Sequence, residues 1–325
     1  METRKLYYED PFQKGFATTV VSCDEVKGGY AVVLAETAFY PEGGGQPYDT
    51  GVLGEANVLE VHEKNGVITH LCDKPFEVGK SVSGKIDWAR RFDHMQQHSG
   101  EHICSGLICE RFHCDNVGFH MGADVVTIDF NADISWDELM EIEQLANLYI
   151  YEDHPIDIQF YRGAELDKVE YRSKKPLEGD VRIVSFPGAD CCACCGTHVM
   201  RSGQVGLVKF LSVQKFRDGV RIELLSGKRA HRYLSECWAQ DVRIAQALSV
   251  KPNASFAGVE RVLAELSTLK QRCAKLEESV FAQTAAQYEG KGDVLLFEDE
   301  MSGDSLRKLC DAVTNHCGGR CAVFA

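Results

Sequence analysis

Long hydrophobic runs are absent from this sequence. No segment of its 325 residues approaches the about 18 consecutive apolar residues of a membrane-spanning helix. Residues 1–10 also lack the apolar stretch of a secretory signal peptide. We therefore expect a cytoplasmic protein, in a compartment where thiols stay reduced. The 14 cysteines are then potential metal ligands, nucleophiles or core residues, and a disulfide framework is not expected.

Positive charge is also scarce, with 35 Lys and Arg residues against 49 Asp and Glu residues and a formal net charge of −14. Over the whole chain this disfavours a nucleic-acid partner, because phosphates attract Lys and Arg. One segment departs from the average, and we call its eight basic residues the basic strip: Arg201, Lys209, Lys215, Arg217, Arg221, Lys228, Arg229 and Arg232. Such a strip permits RNA binding, and an ordinary solvated face explains it equally well.

The periodicity along the chain predicts an α+β protein. Short alternating runs between Gly-rich turns fill residues 1–87 and are typical of a small β-barrel. Residues 88–235 predict an α+β core with one helix from about Trp88 to Glu110. A second helix is predicted to start at Ser135, where a capping box with Glu138 is possible. Four strands are predicted to follow: Ile156–Tyr161, Val181–Phe186, Gly206–Phe210 and Val220–Leu224.

Residues 236–290 predict a long helical or coiled-coil segment. Its apolar seam alternates spacings of three and four residues: Val259, Val262, Leu266, Leu269, Cys273, Leu276 and Val280. A helix packed on its own domain and a homodimer through this helix are equally compatible with the seam. Residues 291–325 predict a strand, a helix near Ser305–Asn315 and a strand from Cys321. We expect the sequence to stop inside that strand, within a truncated C-terminal domain for tRNA binding or dimerisation.

Two pairs of metal-ligating residue types stand far apart in the chain. His98 and His102 are four residues apart on the first predicted helix, so both leave the same helix face one turn apart. Cys194 and His198 form the second pair, and four N and S ligands match one zinc ion per chain. The cysteine run that contains Cys194 also holds two Cys-x-x-Cys pairs, which leaves a redox motif open. His94 precedes His98 by one turn, and we expect it on the surface.

Four segments carry a resemblance to a known family. They are Phe39-Tyr-Pro-Glu-Gly-Gly-Gly-Gln46 with Asp49-Thr-Gly51, His98-Ser-Gly-Glu-His102, Lys175-Pro-Leu-Glu-Gly-Asp-Val-Arg-Ile-Val184, and Cys194-Cys-Gly-Thr-His198. In this order they resemble the editing domain of alanyl-tRNA synthetase and cover about residues 1–235. Because no aminoacylation domain precedes residue 1, the chain is identified as a member of the free-standing AlaX family, in its long form.

The resemblance implies a zinc-dependent hydrolase that deacylates mischarged tRNA(Ala) in trans. Ser-tRNA(Ala) is the expected substrate and Gly-tRNA(Ala) a further one, because the pocket that activates alanine rejects neither serine nor glycine strongly. Gln46 and Glu101 are the polar candidates for catalysis and for recognition of the serine hydroxyl. The residues expected to contact substrate or tRNA are Gly43, Gly44, Gly45, Arg172, Lys174, Lys175, Lys228 and Arg229. Roles in protein biosynthesis and in nucleotide or ATP binding belong to the same expectation.

Three positions depart from the family pattern. Cys195 replaces a glycine, so the loop there is expected to tolerate positive φ less well. Glu101 stands where the synthetase has Thr, and the His120-Met-Gly-Ala stretch lacks a Gln. Two other functions stay open: a zinc peptidase or amidase without an RNA role, and a non-catalytic zinc-containing protein that binds tRNA without turnover. The first requires neither the basic strip nor the long C-terminal helix.

Overall fold

The computed structural model describes residues 2–173 and 179–325. These residues form six α-helices and several separate sheets, so the predicted mixture of helices and sheets is confirmed. Two compact units are distinguished, Met1–Ser235 and Glu236–Ala325. None of the helices in the described ranges combines the length and the apolar character that crossing a bilayer requires.

The first unit begins with β-structure. Its elements are β1 (Arg4–Lys5), α1 (Leu6–Glu9), β2 (Gly15–Val26), β3 (Gly29–Leu34), β4 (Glu36–Thr37), β5 (Gly51–Leu53), β6 (Ala56–Lys64), β7 (Val67–Cys72) and β8 (Ser81–Ile86). Six strands pair antiparallel in a closed ring of order β2-β3-β7-β6-β5-β8, and β1 pairs with β4 in parallel. Strict alternation along β2 buries Phe16, Thr18 and Val20. Closure leaves the ring without a free edge.

The rest of this unit is built around one long helix. Its elements are α2 (Trp88–Phe112), β9 (Asn116–Met121), β10 (Val126–Phe130), α3 (Trp136–Tyr151), β11 (Asp157–Arg162), β12 (Asp180–Phe186), β13 (Asp190–Ala193), β14 (Val208–Phe216), β15 (Gly219–Ser226) and the part of α4 (Gly227–Ala247) that ends at Ser235. The strands form two antiparallel sheets, of order β14-β15-β10-β9 and β11-β12-β13. Met95 and Ile103 of α2 pack in one core with Ile128 and Phe210.

Helix α2 buries polar side chains as well as apolar ones. The buried polar residues are Arg91, His94, Gln96, Gln97, His98, Ser99, Glu101, His102 and Ser105. The Arg91 guanidinium pairs with Asp49, and neither side chain is exposed to solvent. It also donates hydrogen bonds to the carbonyl oxygens of Pro11 and Ala38, which ties α2 to the ring of strands. Buried polar groups must be paired to be stable, so such a helix is typical of a functional site or of a structural tie.

The sequence located the long elements well but missed three strands within residues 88–235, one of which is β13, directly before Cys194. The capping box of α3 is confirmed, since the Ser135 hydroxyl accepts from the Glu138 backbone and Glu138 accepts from the Ser135 backbone. Strands β9 and β10 were not predicted. A glycine interrupts the alternation in β9, and the five-residue β10 gives only a short signal.

The second unit contains α5 (Ser255–Gln287), β16 (Gly292–Phe297), α6 (Gly303–Cys317) and β17 (Gly318–Phe324). β16 and β17 pair in parallel, and β17 begins three residues before the predicted strand start at Cys321. The difference arises because Gly318-Gly319-Arg320 belongs to β17 without any apolar signal. Phe281, Leu309 and Val313 belong to the core of this unit. The predicted seam of α5 is exposed, with Leu269 56% accessible.

Candidate metal centre

Four side chains converge beside α2, and we call them the metal cluster: His98, His102, Cys194 and His198. The first two leave one face of α2, and the other two follow β13. Their ligand atoms all lie within 4.8 Å of one another. Cys194 Sγ lies 3.5 Å from His98 Nε2 and 3.3 Å from His198 Nε2. The structure therefore brings the predicted ligands together in a group that could hold a metal ion.

The three imidazole rings of the metal cluster are each held through Nδ1. The partners are Gln46 Oε1 for His98 (2.9 Å), Asp190 Oδ2 for His102 (2.7 Å) and Ser99 Oγ for His198 (3.2 Å). Nε2 of each ring is consequently free to face the shared centre. Metal-binding histidines are typically oriented in this way, because the bond at the second nitrogen fixes the ring and its tautomer.

Burial and neighbouring charges shift the pKa values of the residues in the metal cluster. Burial raises the pKa of the Cys194 thiol, but the adjacent His98 and His198 outweigh burial and hold that pKa well below its ordinary value. Burial lowers the pKa of His102, yet the Cys194 charge and the hydrogen bond to Asp190 bring it well above its usual range. For His198 burial prevails and lowers the pKa to about 3. Metal binding requires the Cys194 thiolate and neutral imidazoles, so a bound cation would take the place of the His102 proton.

Gln46 contacts both the His98 ring of the metal cluster and Thr197, the residue before His198. Its Oε1 accepts from the Thr197 backbone at 3.1 Å as well as facing His98, and its Nε2 donates to Thr197 Oγ1 at 2.8 Å. The side chain is fully buried and all its polar atoms are engaged. These contacts place the Gln46 amide against Nδ1 of His98, and its predicted contact with a serine hydroxyl stays a prediction.

Glu101 lies beside the metal cluster and is held by two residues that sequence reasoning missed. Its Oε1 accepts from Ser105 Oγ at 2.7 Å and from Asn116 Nδ2 at 2.8 Å. Its Oε2 lies 4.0 Å from His102 Nε2 and accepts no hydrogen bond within residues 2–173 and 179–325. Ser105 stands one turn after Glu101 on α2, a spacing that could have indicated the contact. Asn116 reaches Glu101 from β9, and no pattern in the sequence predicts this contact.

Asp190 links the metal cluster to Arg172. The Arg172 guanidinium donates to both carboxylate oxygens of Asp190, at 2.7 and 2.9 Å. Burial opposes ionisation of Asp190, but the bonds from His102 and Arg172 outweigh it and lower the pKa of this carboxyl. Arg172, expected as a tRNA contact, is thus engaged with the carboxylate that orients His102. Asp190 was not singled out in the sequence, although it directly precedes the cysteine run.

A cavity of about 360 Å³ opens onto the metal cluster, and we call it the cluster cavity. Its walls include Gly44, Glu101, Asn116, Phe119 and Arg172 as well as three members of the metal cluster. Its size suits an aminoacyl group or another small polar moiety rather than a folded partner. Metal ligands, a carboxylate and a guanidinium therefore face one space.

Two glycines allow the walls of this region to come together. A side chain at Gly45, where φ is +84°, would place its Cβ 2.5 Å from the Phe119 ring, and that ring stacks on His98. At Gly196 a Cβ would lie 2.1 Å from His98. Cys195, which replaces the family glycine, is not among the residues with positive φ. The loop therefore does not require positive φ at that position.

The residues expected to bind tRNA lie in different surroundings. Lys174 and Lys175 lie outside the described residues. Gly44 lines the cluster cavity, and Gly43 pairs with Gln46 across the turn. At least four members of the basic strip are ion-paired, in the pairs Arg201–Asp153, Lys209–Glu143, Arg221–Asp129 and Arg229–Asp93. Lys228 is exposed and has no ion pair within the described part of the chain. The basic strip is accordingly not one continuous free face.

The expectation for His94 is wrong. Its side chain is buried, with 3% of the residue accessible, because the start of α4 and the turn after β9 cover this face of α2. Periodicity places His94 on the same helix face as His98, and that face is the inner one.

Comparisons with known proteins agree with this geometry. The family profile described as "tRNA synthetases class II (A)" matches residues 9–90, and "Threonyl and Alanyl tRNA synthetase second additional domain" matches residues 181–223. The alanyl-tRNA editing protein AlaX-L of Pyrococcus horikoshii is 31% identical over 92% of this chain and 75% of its own length. This chain belongs to the alanyl-tRNA editing protein family.

Other members and relatives of the family give the same picture. The alanyl-tRNA editing protein Aarsd1-A of Xenopus laevis is 29% identical over 87% of this chain and 73% of its own length. The alanine–tRNA ligase of Pyrococcus abyssi is 36% identical over 95% of this chain. The chain spans only 36% of that ligase, about a third of its length. The matches support alanyl-tRNA editing and protein biosynthesis and give no support to the expected ATP or nucleotide binding.

Proposed function

We propose that this protein is a zinc-dependent hydrolase that removes the wrong amino acid from mischarged tRNA(Ala). The observation that carries the proposal is the convergence of three imidazole Nε2 atoms and one thiolate beside a cavity of amino-acid size. Membership of the alanyl-tRNA editing family supports tRNA(Ala) as the partner.

Zinc is the metal that the donor set favours. Tetrahedral zinc with bonds of about 2.3 Å to sulfur and about 2.05 Å to nitrogen requires an S···N separation of about 3.5 Å. The separations of 3.5 and 3.3 Å from Cys194 Sγ are close to this value. One soft thiolate with three imidazoles also suits zinc better than magnesium or calcium, which prefer oxygen ligands.

The closed ligand set supports a positioning role for the zinc. Four protein ligands complete a tetrahedron, whereas catalytic zinc sites usually keep a position for water. A bound zinc ion would supply positive charge to orient the ester and the amino group of the substrate. The Gln46 amide and the Asp190 carboxylate would keep the ligand rings in place, with Arg172 anchoring Asp190.

Glu101 is the residue we assign to the substrate. Its Oε1 is fixed by Ser105 and Asn116, so Oε2 is presented to the cluster cavity in one orientation. A carboxylate there can accept the proton of a water that attacks the ester, or accept a hydrogen bond from the serine hydroxyl. A site that awaits a hydroxyl leaves its buried polar groups unpaired with alanine, and this would spare correctly charged Ala-tRNA(Ala).

The remaining domains complete the proposal. We infer that the closed ring within residues 1–87 is the predicted β-barrel, that residues 88–235 form the editing core, and that residues 291–325 belong to a tRNA-binding or dimerising domain. We further infer a homodimer through α5, in residues 236–290, because the apolar seam of that helix is exposed.

Metal analysis combined with deacylation tests the proposed site. Cys194→Ala should lose most of the zinc and the hydrolysis of Ser-tRNA(Ala), since a ligand atom is removed. Gln46→Ala should weaken zinc binding by about 10- to 100-fold, as is usual when a group that orients a ligand is removed. The matched control is Cys191→Ala, in the same cysteine run but outside the metal cluster. Full zinc content in Cys194→Ala would refute the four-ligand site.

A further inference from the structure

A second cavity, of about 410 Å³, lies in the first unit where α4 begins against α2. We call it the arginine cavity, and its charged or titratable walls are Arg90, Asp93, His94, Lys228, Arg229 and Arg232. Pro47 also lines it, directly after Gln46 in the Gly-rich turn. Neither the family profiles nor the names of the relatives assign anything to this cavity.

The charge of the arginine cavity is strongly positive. Three cationic side chains, Arg90, Lys228 and Arg229, face the carboxylate of Asp93, and that carboxylate is already engaged by three hydrogen bonds from Arg229 at 2.7 to 3.1 Å. The Arg229 guanidinium also donates to the Gly122 carbonyl at 2.7 Å, which fixes it in place. Concentrating cations in a concave site is unfavourable without an anion. It is least expected in a protein with a net charge of −14.

The cations at the start of α4 are unfavourably placed with respect to the helix dipole. Lys228 and Arg229 stand in the first turn, Arg232 follows in the second, and the first turn contains no acidic residue. The amino end of a helix carries partial positive charge and favours acidic side chains or bound anions. Asp93 of α2 compensates Arg229, but the first turn of α4 itself supplies no acidic residue, and a local rule broken in this way is typical of a functional site.

His94 adds an unpartnered polar group to the wall. It is 3% accessible, and its Nδ1 has no hydrogen-bond partner within residues 2–173 and 179–325. Burial first, and then the charges of Arg90 and Arg229, lower the pKa of His94 to about 3, so the ring is neutral at pH 7. A neutral imidazole retains one N–H donor. A buried polar atom without a partner is destabilising unless a ligand satisfies it.

We propose that the arginine cavity binds a phosphodiester group of the single-stranded 3′ end of tRNA. Because His94 precedes His98 by one helical turn, the cavity wall lies about 6 Å along α2 from the metal cluster. That separation places a backbone phosphate close to the ester that the cluster cavity would receive. Guanidinium groups that bind phosphate in two-bond geometry, with one lysine as a point charge, are a common phosphate site. The inference rests on the proposed function.

The test uses the whole protein and a serine-charged minihelix of tRNA(Ala) in which single 3′-terminal phosphodiesters are replaced by uncharged methylphosphonates. Lys228→Gln is the first variant, since its exposed ammonium has no ion pair in the described ranges and its removal should leave the fold intact. The control is Lys85→Gln, an exposed cation on β8 outside the cavity. Zinc content serves as a check that the metal cluster is unchanged.

We expect Lys228→Gln to raise KM, with kcat nearly unchanged, and to lower the salt slope of minihelix binding by roughly 0.7 to 0.9. One methylphosphonate substrate should be impaired with the natural protein but not further impaired with Lys228→Gln, because both changes remove the same contact. Additive losses at every phosphate, or equal effects of Lys85→Gln, would overturn the proposal.

Two outcomes separate this proposal from the function it rests on. If the natural protein hydrolyses no charged minihelix, the editing function fails. Binding of the uncharged minihelix, with and without the methylphosphonates, still tests the cavity. If millimolar inorganic phosphate protects Arg90 and Lys228 from chemical modification but no methylphosphonate affects binding, the cavity serves a free anion and the RNA assignment is overturned.

Discussion

Each histidine of the metal cluster is fixed by a different kind of partner: an amide, a carboxylate and a hydroxyl. The ligands themselves were predictable, because the spacing of His98 and His102 and the Cys-x-x-x-His pair follow from helix geometry and zinc chemistry. Their partners were not. Gln46, Ser99 and Asp190 are distant in sequence or unremarkable in pattern, and only tertiary structure aligns them with the rings.

Glu101 gives the sharpest prediction at the scale of one residue. Glu101→Gln keeps the size of the side chain and the bonds from Ser105 and Asn116 on one oxygen, but removes the charge. We expect zinc content to persist and kcat on Ser-tRNA(Ala) to fall by about 10²- to 10⁴-fold, the usual contribution of a general base. Metal analysis and single-turnover deacylation measure the two quantities.

The control for this change is Glu110→Gln, an exposed residue on the same helix. If Glu101→Gln kept its rate, the carboxylate would be no more than a structural neighbour of Asn116. If it lost zinc instead, Glu101 would belong to the metal site rather than to the substrate.

At the scale of elements, α2 contributes wall residues to both the cluster cavity and the arginine cavity. Its amphipathic pattern predicted a helix and its start, but did not predict that one face would be polar and buried. The same limit explains His94, which we expected on the surface and which the start of α4 helps to bury. Strand β9, which supplies both Asn116 and Phe119, and its neighbour β10 were not predicted because they are short and β9 is interrupted by glycine.

The Arg91–Asp49 pair provides a test at this scale. Asp49→Ala would leave the Arg91 guanidinium buried without its carboxylate, and removing one partner of such a pair typically destabilises a protein by about 3 to 5 kcal/mol. We expect a loss of this size in the free energy of unfolding by urea. The exposed Asp24→Ala on β2 should change it by less than about 0.5 kcal/mol. Equal stabilities of the two variants would contradict the role of this tie.

For the whole molecule, the composition indicated an acidic protein, whereas the function we propose requires an RNA partner. The basic strip offers only part of its positive charge to RNA, since Arg201, Lys209 and Arg221 are paired with nearby carboxylates. The sequence gives the number of charged residues but does not show which of them neutralise one another across strands. The charge that remains concentrated lies in the arginine cavity.

The exposed seam of α5 leads to a prediction about assembly. Leu266→Glu with Leu269→Glu should convert a homodimer into a monomer, because two charges would enter an apolar helix interface. Sedimentation equilibrium of the natural protein, the double variant and the exposed Gln271→Glu control measures the change. A natural protein that is monomeric at every concentration would remove the basis for a dimer through α5.

The selectivity of deacylation tests the central claim most directly. The natural protein should be incubated with Ser-, Gly- and Ala-tRNA(Ala) at equal concentrations, and the release of each amino acid followed over time. We predict rapid loss of serine, slower loss of glycine, and sparing of alanine by about 10⁴-fold relative to serine, since only serine satisfies a polar group that waits for a hydroxyl. Comparable rates on Ser- and Ala-tRNA(Ala) would contradict the account and leave a general esterase, and cleavage of peptides without any deacylation would indicate a zinc peptidase.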